Sequence, residues 1–142
     1  MQMCKLYRRK EFFRSEAKFT AYGGARGGGK SWALRRKLIG LCLRYPGIRC
    51  LLVRRTLTEL KANHIAPLLG EYGEILRFSA GENAFLMDNG SRIDCGYCDS
   101  ERDVYRYQSA EYDVIRFDEL THFTESMYLY LQSRLRGAKP YP

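Results

Sequence analysis

The spacing of apolar side chains along the chain predicts a strand, a helix and a second strand at its start. "AKFTAY" at residues 17–22 alternates apolar and polar positions and leads directly into a glycine-rich segment, as a strand followed by a loop does. Apolar residues then recur at helical spacing until "YPG" at 45–47 ends the helix. "IRCLLVRR" at 48–55 has the continuous apolar character of a buried parallel strand. Residues 17–53 are therefore predicted to form one βαβ unit. The helical positions are Leu34, Leu38, Leu41, Cys42 and Tyr45.

A second helix and three short strands are predicted after this unit. Thr56 and Glu59 have the spacing of a capping box, which predicts a helix that reaches to about Pro67. Three short strands follow, the last two joined around "DNGS", because Asn and Gly tolerate the positive φ angles of a tight turn. These strands are predicted at residues 74–79, 83–88 and 91–98.

The last third of the chain returns to an α/β pattern. "SERDVYRYQSAE" at 100–111 is polar and aromatic and predicts a short helix or loop. Next comes a strand that ends at two acids, a short connection, and a helix with four apolar residues on one face. These are Met127, Tyr130, Leu131 and Leu135. Because the chain contains neither a repeat nor a linker, residues 1–142 are predicted to form one α/β domain.

Composition restricts the class of protein. A length of 142 residues with 45% hydrophobic and 13% aromatic content excludes a disordered chain. No apolar run reaches 18 residues and none follows the basic N-terminus, which argues against a membrane span and an export signal. The net charge of +8 favours polyanionic partners, although a solvated basic surface explains it equally well. Several basic residues could follow a phosphate backbone, and a solvated helix face accounts equally for the first three: Arg35, Arg36, Lys37, Arg54, Arg55 and Lys61.

The cysteines are predicted to be reduced and structural. Their number is odd, and the chain shows no export signal. "CGYC" at 95–98 has CxxC spacing, but it lacks a second ligand pair, His64 and His122 are isolated, and the segment has a strand pattern. Buried thiols are therefore favoured over a zinc or redox site. The five are Cys4, Cys42, Cys50, Cys95 and Cys98.

The glycine-rich segment carries the clearest chemistry. "GARGGGKS" at residues 24–31 satisfies the GxxxxGK[ST] pattern of a phosphate-binding loop, and it lies between a predicted strand and a predicted helix, as that loop requires. Backbone N–H groups would curve around phosphate oxygens, Lys30 would reach the outer phosphates, and Ser31 Oγ would bind Mg²⁺. The predicted nucleotide-binding residues are Gly24, Ala25, Arg26, Gly27, Gly28, Gly29, Lys30 and Ser31.

A second strand, "VIRFDE" at 114–119, supplies the acids that nucleotide hydrolysis needs. Asp118 is predicted at the carboxyl edge of the sheet, where it can hold Mg²⁺ through water, and Glu119 is predicted to activate the attacking water. An acid pair at a helix start is the plainer interpretation, and the loop upstream argues against it. Adjacent acids favour a motor ATPase over a kinase or GTPase. Arg116 is an unusual charge within such a strand.

Five stretches together resemble the ATPase half of the large terminase subunit of tailed bacteriophages and prophages, over about residues 12–136. They are "FTAYGGARGGGKS", "LLVRRTLTEL", "NGSRIDCGYCD", "YQSAEYDVI" and "FDELTHFTE". The resemblance implies a P-loop NTPase of the additional strand, catalytic glutamate type, with a mainly parallel sheet and an inserted antiparallel hairpin. It also implies ATP and Mg²⁺ as cofactors. Implied partners are double-stranded DNA, the portal protein and the small terminase subunit, with a ring on the portal in the bacterial host cytoplasm when the protein is full length.

The resemblance gives Arg26 a role. Terminases of this kind carry an arginine four residues before the loop lysine, and Arg26 stands at that distance from Lys30. A guanidinium there could contact the γ-phosphate and act with Glu119 in catalysis. The alternative is an exposed loop residue, with a neighbouring subunit supplying the arginine.

Three departures from the family pattern limit these expectations. "LYRRKEFF" contains no glutamine to recognise adenine, so adenine specificity rests on the resemblance. The coupling strand expected after "LQSRLRGAKPYP" and the nuclease half are both missing, which predicts a partial ATPase domain with a gap beside the Asp118 strand and doubtful turnover. The alternatives are a fragment that binds nucleotide and DNA without hydrolysis, or a helicase-like motor of another family.

Overall fold

The computed structural model of the protein describes Arg14 and residues 29–135. Its strands are β1 (Arg49–Arg54), β2 (Arg77–Ser79), β3 (Ala84–Leu86), β4 (Arg92–Tyr97) and β5 (Val114–Phe117). Its α-helices are α1 (Lys30–Arg44), α2 (Leu57–Leu60), α3 (Ala66–Tyr72) and α4 (Glu125–Gln132). A π-helical turn (Lys61–Ile65) joins α2 to α3, and 3₁₀ turns occupy Glu101–Tyr107 and Leu120–His122.

The five strands form one mixed sheet in the order β2-β3-β4-β1-β5. Strand β1 lies between β4 and β5 and is parallel to both, whereas β3 is antiparallel to β2 and β4. The predicted α/β fold is confirmed, but the described sheet is mixed rather than mainly parallel, because the short connections within β2-β3-β4 permit only antiparallel pairing. The predicted inserted hairpin is confirmed and extended to three strands. The predicted strand at 17–22 lies outside the described residues.

The turn between β3 and β4 follows the predicted Asn-Gly chemistry. Gly90 has φ 84°, and the Met87 amide donates to the Ser91 carbonyl at 3.0 Å. Both Asn89 Nδ2 and Ser91 Oγ donate to the Cys42 carbonyl, at 2.8 and 2.9 Å. That carbonyl lies in the last turn of α1, where helix carbonyls lack intrahelical donors. The turn therefore holds the end of α1 against the sheet.

Alternate residues of β1 enter two apolar cores, one on each face of the sheet, because successive side chains of a strand point to opposite faces. The first core packs α1 and the α2–α3 segment on the sheet, and includes Leu38, Cys42, Cys50, Leu52, Leu68, Phe85 and Ile93. The second packs α4 and the longer 3₁₀ turn on the other face, and includes Leu51, Val53, Val104, Tyr107, Met127 and Leu131. The predicted burial of β1 is confirmed.

The helix after β1 begins as predicted but ends later. Thr56 accepts a hydrogen bond from the Glu59 amide at 3.3 Å, and the helical segment continues through Pro67 to Tyr72. Proline has no N–H to donate to the carbonyl four residues earlier, which is that of Asn63. The π turn falls at this point, and Arg35 Nη1 donates to the Asn63 carbonyl at 2.5 Å instead. An outside donor thus replaces the missing intrahelical hydrogen bond.

The last helix carries the predicted apolar face in part. Met127 and Leu131 are buried, but α4 ends at Gln132, so Leu135 lies beyond the helix. Leu135 forms an isolated parallel bridge with Tyr112, the residue that leads towards β5. The chain after α4 therefore returns alongside the start of β5.

The cysteines within the described part of the chain are free and buried. Burial raises the pKa of the Cys95 thiol to about 12 and that of Cys98 to about 11. Such thiols stay protonated and unreactive at neutral pH, which confirms the buried-thiol interpretation for them. None of the helices in this part of the chain is both long and apolar enough to cross a membrane.

Replacing Gly96 with Ala should destabilise the fold by about 1–3 kcal/mol, because an added Cβ would lie 2.2 Å from Tyr107 Oη and 3.1 Å from Leu51 Cδ1. The measurement is the free energy of unfolding in urea. Gly70→Ala is the matched control: this exposed helical glycine has no neighbour within 4 Å of the added Cβ, and the change should stabilise by up to about 1 kcal/mol. Similar effects of the two substitutions would contradict the packing argument.

Candidate functional site

Two neighbouring parallel strands bring the candidate site together. β1 ends at Arg54, and Asp118 follows β5 directly, with its amide donating to the Val53 carbonyl at 3.0 Å. The carboxyl ends of parallel strands meet at one edge of a sheet, which is where α/β proteins bind ligands. The first turn of α1 reaches the same edge. Ser31 Oγ donates to Asp118 Oδ2 at 2.9 Å, although 87 residues separate them.

Asp118 is a buried carboxylate with three donors on one oxygen. Besides Ser31, Oδ2 accepts hydrogen bonds from His64 Nε2 at 2.7 Å and from Arg54 Nη1. Burial alone would raise the Asp118 pKa, but the contacts with His64, Ser31 and Arg54 outweigh it and lower the pKa to about 2. The carboxylate is therefore ionised at neutral pH. An ionised carboxylate only accepts hydrogen bonds, so His64 Nε2 is the donor.

His64 is a site residue that sequence reasoning missed. Its side chain is fully buried, with 0% exposure, and its Nδ1 has no hydrogen-bond partner. From the sequence, His64 is considered only as a zinc ligand without partners, whereas the π turn directs its ring to Asp118, 54 residues away. No motif spacing reveals this contact. The nearest signal in the sequence is Pro67, which follows the histidine and interrupts the helical hydrogen-bond pattern.

Arg54 is part of this cluster rather than a surface residue. It is 9% exposed and forms ion pairs with Asp118 and, at 3.4 Å, with Glu59. The sequence left open whether Arg54 follows a phosphate backbone, and its burial against two carboxylates argues against that role. Its position follows from the inward direction of alternate β1 side chains, which places it on the face that α1 covers.

The basic residues of α1 do not form one solvated face. Arg35 and Lys37 are buried, whereas Arg36 is exposed and lies over the Trp32 ring at 5.6 Å. Arg35 also forms an ion pair with Glu71 at 3.5 Å. Burial, with a smaller contribution from Arg116, lowers the Lys37 pKa to about 8. The solvated-face interpretation holds only for Arg36.

Glu119 has a strained backbone. Its φ and ψ are both 57°, the left-handed region that residues other than glycine seldom occupy. The strain falls on the residue that the sequence predicts as the catalytic base, directly after Asp118. Backbone strain of this kind is concentrated at functional sites, where the surrounding fold compensates for it.

The glycine-rich segment is described only at its end. Gly29 has φ 73° and α1 begins at Lys30, as predicted, with no acidic residue in its first turn. The remaining residues of the predicted phosphate-binding loop lie outside the described residues, so the shape of the loop and the role of Arg26 stay predictions. They are Gly24, Ala25, Arg26, Gly27 and Gly28.

The oxygen atoms of Ser31 and Asp118 are hard ligands of the kind that magnesium prefers. The described residues contain no group of three or more His, Cys, Asp or Glu side chains that could hold a metal ion. A magnesium ion here would need its other ligands from water and from the phosphates of a nucleotide, as is usual for magnesium in nucleotide sites. The donor set therefore fits a shared metal site.

A family model described as terminase large subunit, T4likevirus-type, N-terminal, matches residues 21–140. The chain belongs to this family. Membership confirms the resemblance drawn from the five stretches and implies a role in phage DNA packaging. The match to this terminase family includes Lys30, Ser31, Asp118 and Glu119, and it disfavours the helicase-like alternative. No curated protein and no solved structure matches the chain.

Acid should weaken the fold through Asp118. A pKa lowered from 3.8 to about 2 stabilises the folded state above the unfolded value, and this stability is lost as the pH falls through about 2. The loss should be on the order of 2 kcal/mol between about pH 5 and pH 2. Urea unfolding of wild type and Asp118→Asn across this range measures it, since the variant lacks the titration. Asp88→Asn, at an exposed turn carboxylate, should keep the wild-type pH dependence.

The strain at Glu119 should appear as a stability difference between two truncations. Glu119→Gly should be about 1 kcal/mol more stable than Glu119→Ala, because only glycine adopts a φ of 57° without steric cost. Glu125 begins α4 in a right-handed helix, so there the alanine variant should be the more stable of the pair. Thermal or urea unfolding of the four variants tests this, and equal ordering at both positions would contradict it.

Proposed function

We propose that this chain is the ATP-binding and ATP-hydrolysing motor domain of a phage DNA-packaging terminase, with a P-loop fold of the additional strand, catalytic glutamate type. The observation that carries the proposal is the 2.9 Å hydrogen bond between Ser31 and Asp118. These are the two residue types that such a site uses to hold magnesium, and they meet at the carboxyl edge of the sheet at the start of α1. Family membership supports the packaging role.

Some residues of the proposed site contact the phosphates, and others hold the metal ion. The loop from Gly24 to Gly29 offers backbone N–H groups to the phosphates, and Lys30 reaches the outer ones. Ser31 Oγ has one proton and two lone pairs, so it can donate to Asp118 while a lone pair binds the metal. Asp118 stays ionised because its pKa is about 2, which suits it to hold a hydrated cation. Bound Mg²⁺ would neutralise charge on the phosphate oxygens.

Hydrolysis requires water to attack the γ-phosphorus while the bond to the β-γ bridging oxygen breaks, giving ADP and phosphate. Glu119, next to Asp118, accepts a proton from that water in this proposal. Arg26 contacts the γ-phosphate and stabilises the charge that develops on it. The left-handed backbone of Glu119 supports a functional role, because strained backbone conformations of this kind cluster at active sites.

The wider assembly follows from the family. The full-length protein is proposed to form a ring on the portal in the bacterial host cytoplasm, with the small terminase subunit as a further partner. ATP turnover would then move double-stranded DNA. The net charge of +8 supports contact with DNA.

Two substitutions test the proposal. Lys30→Ala should weaken binding of Mg·ATP at least tenfold, because it removes a charge-assisted contact to phosphate. Glu119→Gln should keep nucleotide affinity and lower phosphate release by about 10²–10⁴-fold, because it removes the base. A fluorescent ATP analogue measures binding, and a phosphate-release assay measures turnover.

The results of these assays distinguish an ATPase from a domain that binds nucleotide without hydrolysing it. Nucleotide binding that depends on Lys30, with phosphate release equal in wild type and Glu119→Gln, would indicate a binding domain without turnover. Absence of Mg·ATP binding by the wild-type chain would refute the proposed function altogether. Glu125→Gln, at an exposed position in the first turn of α4, is the control and should match wild type in both assays.

A further inference from the structure

The π turn of residues 61–65 connects two parts of the candidate site. A π turn holds one residue more than an α-helical turn, and such turns are frequent at functional sites. Here the adjacent residues Asn63 and His64 contact two different elements. The Asn63 carbonyl accepts from Arg35 of α1 at 2.5 Å, and His64 Nε2 lies 2.7 Å from Asp118 Oδ2. The turn therefore joins the helix that carries Ser31 to the end of β5.

Charge compensation alone does not explain His64. Arg54 already pairs with the Asp118 carboxylate and supplies a full positive charge. Burying the His64 ring also leaves Nδ1 without a hydrogen-bond partner among the described residues, which is unfavourable because the nitrogen loses its contact with water. A buried apolar side chain would avoid that cost. What His64 adds is a further contact to one particular carboxylate oxygen, since Nε2 lies 2.7 Å from Oδ2.

The two carboxylate oxygens of Asp118 have different surroundings. Ser31, His64 and Arg54 all contact Oδ2, and among the residues that the structure describes none donates a hydrogen bond to Oδ1. A carboxylate held in this way cannot rotate to exchange its oxygens without breaking these contacts. Oδ1 is then the oxygen left for the water shell of a metal ion.

We propose that His64 is a positioning residue for magnesium, which holds Asp118 through Oδ2 so that Oδ1 faces the metal site. This inference rests on the proposed function, because it needs a magnesium nucleotide at Ser31 and Asp118. His64 itself touches neither metal nor nucleotide. Residues that hold a metal ligand in this way typically change metal affinity by 10–100-fold when they are replaced.

The test compares His64→Gln with His64→Asn in the full chain. A glutamine amide nitrogen reaches about as far from the backbone as Nε2, whereas an asparagine amide reaches only as far as Nδ1. Binding of a fluorescent ATP analogue is measured over a range of Mg²⁺ concentrations. His64→Asn should raise the Mg²⁺ concentration for half-maximal binding about tenfold, and His64→Gln should stay within about threefold of wild type. Binding without Mg²⁺ should change less than about twofold in either variant, since His64 acts only through the metal ligand.

A second measurement uses the wild-type protein, in case the variants do not fold. The chain has two histidines, so ¹⁵N-histidine labelling with His122→Gln assigns the ring signals of His64. The Nε2–H signal should be protected from solvent exchange both without ligand and with Mg·ADP. Its loss on binding Mg·ADP would overturn the proposal.

The remaining outcomes distinguish this inference from the proposed function. Equal Mg²⁺ dependence of the glutamine and asparagine variants would refute the positioning role and leave the ATPase proposal intact. Failure of the wild-type chain to bind Mg·ATP would refute both. His122→Gln, at an exposed position, should match wild type throughout.

Discussion

The arrangement of this protein depends on one buried negative charge, the carboxylate of Asp118. Placing a carboxylate at 5% exposure is costly unless donors surround it. The donors come from three separate elements: Ser31 from α1, Arg54 from β1 and His64 from the π turn. Each element is thereby fixed at the carboxyl edge of the sheet. The hydrogen bonds from His64 and Ser31 that lower the pKa of Asp118 also hold the π turn and α1 against the ends of β1 and β5.

The sequence predicted the elements of the described fold well where local chemistry decides them. The apolar run of β1, the "DNGS" turn with Gly90 in the left-handed region, and the start of α1 at Lys30 all follow from periodicity or turn preference. The pairing of Ser31 with Asp118 also followed, because a loop pattern and a strand-end acid imply a shared sheet edge. The order of the strands in the sheet did not, since strand patterns alone do not show which strands pair.

The rest of the site depends on contacts that no sequence pattern encodes. In the sequence, His64 resembles an ordinary helix residue and Arg54 an ordinary strand residue. Their roles come from their contacts with Asp118 in the folded protein. The helix after β1 was predicted to end at about Pro67, but the helical segment continues to Tyr72. Proline has no N–H to donate to the Asn63 carbonyl, and this carbonyl accepts a hydrogen bond from Arg35 instead. The sequence pattern thus indicated Pro67 as an irregular position in the helix. It did not indicate that Arg35, 28 residues before Asn63, would donate to the Asn63 carbonyl.

The position of β1 has a consequence for how the chain folds during synthesis. Both partners of this apolar strand, β4 and β5, come much later in the sequence, at residues 92–97 and 114–117. A nascent chain therefore exposes both edges of β1 until those segments have left the ribosome. Such delayed parallel pairing is slow and prone to aggregation. Slower translation just after β1 would lengthen this exposure, so codon choice in that region should influence soluble yield.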